Sequence, residues 1–166
     1  MKIYYWCPYI SEVATVKAVI NSIDSINKFS QKKIDLKIIN VFGEWNNKLD
    51  ILKSLKIEHI KLNNIDFKKY LPLGGFIKSR FSYMVIFLFS FFKLHKLIKN
   101  DEPNYLICHL VTSLPLCTLL IFKFKTKFIL RISGYPRLNF FRKFFWKIFS
   151  KKLFLITCPT KDCLKF

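Results

Sequence analysis

The stretch from Asn104 to Pro136, NYLICHLVTSLPLCTLLIFKFKTKFILRISGYP, constrains the fold more than any other. Its pattern predicts a strand at Tyr105–Cys108, a polar crest over His109 to Ser113, and a helix from near Leu114 to about Phe124. A second strand at Lys127–Ile132 and a second crest, Ser133-Gly-Tyr-Pro136, follow. Two parallel strands joined by a helical crossover place both crests on one edge of one sheet. That carboxyl edge is where open α/β sheets bind ligands. His109, Thr112, Ser113, Arg131, Ser133 and Gly134 are therefore expected to converge.

The competing interpretation is a membrane span, because Asn104 to Phe122 carries no charge, about the length a span needs. Thr112, Ser113 and Pro115 fall mid-run, as a helix start would have them. His109 would sit unpaired in lipid, at a cost. The β-rich FILRI segment follows at once. The run reads as part of an α/β sheet.

Length and composition agree. At 166 residues and 52% apolar content the chain can bury one substantial core. The formal charge is +19, and beyond Glu102 only Asp162 opposes twelve Lys and Arg. Such an excess suits an anionic partner: nucleic acid, anionic lipid or a phosphate-bearing substrate. AT-rich coding explains part of the lysine content, but not its uneven placement. The cysteines Cys7, Cys108, Cys117, Cys158 and Cys163 form no CxxC pair and read as reduced thiols in a cytoplasmic protein. MKIYYWCPYI lacks the long apolar run of a signal peptide.

Taken in order, Lys2–Cys7 is a first strand ended by Pro8, and the loop Tyr9–Ala14 leads to a helix from about Thr15 to Phe29. Thr15 is the candidate cap. Strands at Asp35–Phe42 and Ile57–Leu62 flank a short helix over Glu44–Leu55, and Gly74 and Gly75 lie in the loop Asn63–Gly75. This alternation predicts a parallel, doubly wound sheet. A long helix from Phe76 to Lys99 contains the uncharged run Phe81–Phe92. Being apolar all round, it is expected in the core under the sheet, with a dip into a membrane interface as the other outcome. In the helix Leu138–Lys152, Phe141, Phe144, Phe145, Ile148 and Phe149 share one face and Trp146 sits near its boundary. Arg142, Lys143, Lys147, Lys151 and Lys152 occupy much of the rest. The pattern fits an interfacial helix and equally a helix packed on a sheet with a basic back. Leu153–Cys158 is a last strand.

Several chemistries are missing. Neither GxGxxG nor GxxxxGK[ST] occurs, so a dinucleotide cofactor or P-loop chemistry is not expected. The histidines are scattered without metal-ligand spacing, and no GxSxG elbow is present. His109 stands out only by its place at a strand's carboxyl end, and Arg131 could meet a phosphate or carboxylate.

Across KIYYWCPYISEVATVKAVINS, HLVTSLPL, LRISGYPRLNFFRKFFWKIF and LITCPTKDCLKF, the chain resembles the N-terminal half of family-four glycosyltransferases. These are GT-B enzymes of bacterial polysaccharide and lipopolysaccharide assembly. The resemblance implies a Rossmann-like acceptor-side domain over residues 1–158, with 159–166 beginning a linker toward a donor-binding domain. It implies transfer of a hexose, with retention, from a nucleotide-sugar donor to a surface-polysaccharide or lipid-linked glycan acceptor. The matching positions are Ala14 and Thr15, then His109, Thr112 and Ser113, then Arg131, Ser133 and Gly134. Many relatives carry a His where this chain has Ser133, and a Gly-Gly pair where it has SEVAT. The paired glutamates of the donor domain are absent. The expectation is a fragment, a split-gene product or a truncated open reading frame, inactive alone and with no cofactor of its own; a partner that completes a separately encoded donor-binding domain is a further reading. It is expected at the inner face of the cytoplasmic membrane, facing anionic lipid through Arg142, Lys143, Trp146, Lys147 and Lys151. A basic module binding membrane or nucleic acid without catalysis is the alternative. Nucleic acid is the less favoured partner, because the aromatics lie on apolar faces rather than alternating with charge.

Overall fold

A computed structural model of the chain describes residues 1–72, 76–134 and 140–158, without the side chains of residues 76, 77, 141 and 142. The Gly74–Gly75 turn, the Tyr135–Pro136 half of the second crest, Cys163, the linker expected over 159–166 and the Arg142 side chain lie outside that description.

The strands are β1 (Lys2–Trp6), β2 (Asp35–Asn40), β3 (Glu58–Lys61), β4 (Tyr105–Cys108), β5 (Lys127–Arg131) and β6 (Leu155–Thr157). The helices are α1 (Ala14–Phe29), α2 (Leu49–Ser54), α3 (Phe76–Asp101), α4 (Ser113–Ile121) and α5 (Phe140–Ser150). All strand pairs are parallel, in the order β3-β2-β1-β4-β5-β6. Parallel strands need crossovers, and the two faces are covered by different helices. Ile3, Tyr5 and Cys7 pack with Val16, Val19 and Ile23 of α1 and Leu52 of α2. Tyr4 and Trp6 point the other way, into a cluster with Ile86, Leu94 and Ile98 of α3 and Leu114 and Leu119 of α4. The period-two alternation of β1 thus feeds two cores. It is a Rossmann-like α/β fold.

Four expectations change. β2 stops at Asn40 rather than Phe42 because side chains take over the backbone donors that the ladder would use. The Glu44 carboxylate accepts from the N–H groups of Val41 (2.9 Å) and Phe42 (2.8 Å), and Asn40 Oδ1 accepts from Gly43. The helix expected from Glu44 begins instead with the 3₁₀ turn Asn46–Lys48. α3 buries one side only: Ser82, Ile86, Ser90, Leu94 and Ile98, close to every fourth residue, face inward, while Phe81, Met84, Leu88 and Phe92 are exposed. In α5, Trp146 packs toward the core and Phe149 is buried, whereas Phe144, Phe145 and Ile148 are exposed. A wide apolar face leaves the helix rotation open, and the bulkiest ring took the inward position.

Candidate functional site

β1 and β4 are neighbours whose crossovers leave in opposite directions, β1 toward β2 and β4 toward β5. The switch point of the doubly wound sheet, where open α/β sheets bind ligands, therefore falls between their carboxyl ends. The first crest sits there. The backbone N–H of His109 donates to Trp6 O at 2.9 Å. Trp6 Nε1 donates to Val111 O at 3.2 Å, and Val111 is held at φ 46°, a region that a β-branched residue rarely enters. Trp6 therefore holds the crest at two points, His109 and Val111, before α4 begins. Thr112 is the α4 N-cap, and its hydroxyl makes no capping bond.

His109 is 4% exposed, and neither ring nitrogen has a hydrogen-bond partner. Its ring stacks on Tyr5, with centroids 6.0 Å apart. The hydroxyl of Tyr5 pairs with Ser22 of α1 at 3.1 Å. Burial, with the Arg131 guanidinium second, pushes the imidazole down to about 4. Burial pushes the Tyr5 phenol up, against Ser22 and Arg131. Arg131 is thus close enough to act on both. The register explains why: Cys108 pairs with Leu130, so the next residues, His109 and Arg131, lie side by side on one face. A neutral imidazole offers one donor and one acceptor; beside it stands a fixed cation.

The expected residues divide. His109 and Arg131 come together, with Thr112 and Ser113 on the same crest and Ser133 and Gly134 exposed just past β5. Thr15 lies on the Ser22 side of α1, two turns toward its amino end; Val13, not Thr15, holds the N-cap position. Ala14 opens elsewhere, into a cleft of about 500 Å³ toward α2 with Glu12, Lys48 and Ile51. Tyr5 went unnoticed in the sequence, although strand alternation puts it on the face of Ile107 and His109.

A second concavity of about 530 Å³ lies at the same edge beyond β2 and β3, lined by Asn46, Asn47, Asp66, Lys68 and Tyr70. Beneath it Glu44 is fully buried, and burial pushes its carboxyl up to about 7 against the Val41 and Phe42 amides and Lys68. Lys68 stands 4.8 Å over the Tyr9 ring. Glu44 serves as a turn anchor. Among the described residues no His/Cys/Asp/Glu group could hold a metal ion.

No protein-family model matches the sequence, and no curated protein matches it. Solved structures do match the fold. A Listeria monocytogenes protein assigned as a UDP-N-acetylglucosamine 2-epimerase aligns over 99% of this chain at 11% identity and a TM-score of 0.58. The Neisseria meningitidis UDP-GlcNAc 2-epimerase, bound to UDP-GlcNAc, aligns over 99% at 12% identity and a TM-score of 0.50. This chain spans 40% and 41% of their lengths. The domain is GT-B-like. At such identities the likeness concerns the fold alone and does not single out family four.

Proposed function

We propose that this domain is the acceptor-binding half of a retaining, family-four-type glycosyltransferase, working with a second domain that holds the nucleotide-sugar donor. The observation that carries the reading is the clamped, unpartnered His109 at the switch point with Arg131 beside it. A sugar hydroxyl would satisfy the neutral imidazole as donor or acceptor, which requires the crest to open, because both ring nitrogens are buried in the free protein. Arg131 suits the phosphate or carboxylate of a lipid-linked or surface-glycan acceptor. Ser133 and Gly134 are exposed just past β5, and a Cβ at Gly134 would meet nothing within 4 Å. The GT-B-like fold and the extent of the alignment, about two-fifths of the epimerase chains, support a two-domain enzyme. With only a binding half, the domain is expected to transfer no sugar unless the donor-binding partner is supplied, on the same polypeptide or another.

Titration calorimetry of the protein with phosphorylated and unphosphorylated oligosaccharides, and with UDP alone, tests this reading. Glycan binding lost in His109→Ala and weakened in Arg131→Gln, with UDP unbound, is the expected result. UDP binding that ignores both substitutions, or turnover of a nucleotide sugar by residues 1–166 alone, would overturn it.

A further inference from the structure

Two exposed apolar surfaces lie on one side of the sheet, and the sugar reading uses neither. α3 and α5 both cover the face that carries Tyr4 and Trp6, so their outward sides look the same way. On α3 the outward residues are Phe81, Met84, Leu88 and Phe92, at intervals of three, four and four; Leu88 is 66% and Phe92 71% exposed. On α5, Phe144 and Ile148 are exposed among Lys143, Lys147 and Lys151. No Asp or Glu occurs from Phe67 to Asn100 or from Pro103 to Cys158.

α3 also reaches past the sheet. Asn63, just beyond β3, donates to Ser90 Oγ at 3.0 Å and accepts from Lys93 at 2.6 Å. Nearer its start, Ser82 donates to Pro72 O at 3.2 Å, and Phe89 packs on Phe67. The residues before Ser90 therefore run along the loops of the carboxyl edge, over roughly 21 Å of helix. The exposed stripe begins beside the ligand edge.

We propose that the outward faces of α3 and α5 form one docking surface for an anionic lipid bilayer, with the α3 stripe entering the interface and the α5 lysines meeting the headgroups. The chemistry selects this occupant. Apolar side chains gain by leaving water, and lysines alongside gain from acidic headgroups. A second copy is disfavoured, since a two-fold contact would set this acid-free layer against itself. Nucleic acid leaves the aliphatic stripe in water. By length and composition α3 could cross a membrane over Lys78–Asp101. Its buried side is committed to the sheet, however, and the uncharged run Phe81–Phe92 covers only about 18 Å of the roughly 30 Å needed. It lies in the interface. The proposal is independent of the sugar reading, because binding to lipid is measured without a glycan.

Flotation with phosphatidylcholine vesicles, with and without phosphatidylglycerol, reads the surface. The double variant Leu88→Gln/Phe92→Gln alters only exposed side chains, and circular dichroism checks its fold. It should reduce partition onto anionic vesicles about tenfold or more. Lys143→Gln/Lys147→Gln/Lys151→Gln should abolish the preference for anionic over neutral lipid and its loss in salt. Leu88→Trp should be quenched by lipids brominated in the acyl chains. Equal partition onto neutral vesicles by the wild-type protein, or no change in either multiple variant, overturns the proposal. So does a soluble dimer that Leu88→Gln/Phe92→Gln dissociates.

Discussion

Replacing His109 by Phe isolates the central residue of the switch point. The ring is buried, stacked on Tyr5, and makes no hydrogen bond through either nitrogen, so the substitution removes no partner. Folding holds the imidazole at about 4, against about 6.5 in the unfolded chain. A depressed histidine contributes stability that is present above the unfolded value and is lost as pH falls toward the folded one. Between those values the unfolded state binds the extra proton. Its linkage cost to the fold is about 0.2 kcal/mol at pH 7 and about 2 kcal/mol at pH 5. Burying two unpaired polar atoms adds about 1–3 kcal/mol at any pH, offset in part by the larger ring. Urea unfolding followed by fluorescence of the buried Trp6 and Trp45, at both pH values, measures the difference between wild type and His109→Phe. The variant's advantage should grow by about 2 kcal/mol on going from pH 7 to pH 5. Other titrating groups cancel in that difference. An advantage that does not change with pH would mean His109 is charged or solvated in the fold, and the reasoning fails.

Glu44 gives the opposite slope. Its carboxyl is raised from 4.5 to about 7, so its contribution is full below 4.5 and is lost as pH rises through 7. The cost of Glu44→Gln in urea unfolding should therefore shrink by about 2–3 kcal/mol between pH 5 and pH 8. A cost that grows over that range contradicts the assignment. In Arg131→Gln the His109 ring should titrate at higher pH than in wild type, read by imidazole NMR; an unchanged titration would separate the two side chains. Gly43 has φ 91°, and a Cβ there would stand 2.9 Å from Asp66 Cβ. Gly43→Ala should cost about 1–3 kcal/mol in thermal unfolding, and a neutral result would mean that the turn relaxes freely.

The β4–α4–β5 unit was legible because its signals agreed: an apolar run, hydroxyls and Pro115 at a helix start, then a β-rich run. β4 falls at Tyr105–Cys108, as expected. The end of β2 was not legible, since a carboxylate four residues beyond Asn40 removes ladder donors through three-dimensional contacts that no periodicity records. The direction of α3 was hidden for a related reason. An aromatic run looks buried all round, whereas only the Ser82 and Ser90 side faces the sheet, and both serines are satisfied there. The backbone place of His109 followed from strand order. Its stack on Tyr5 followed from a register that only strand pairing sets.

Imidazole NMR of His109 during titration with a phosphorylated oligosaccharide tests the central claim most directly. The account predicts that the ring nitrogens, unpartnered in the free protein, shift as glycan binds, and that Arg131→Gln weakens the response. Glycan binding that leaves the His109 signals in place would put the ligand elsewhere and contradict the account.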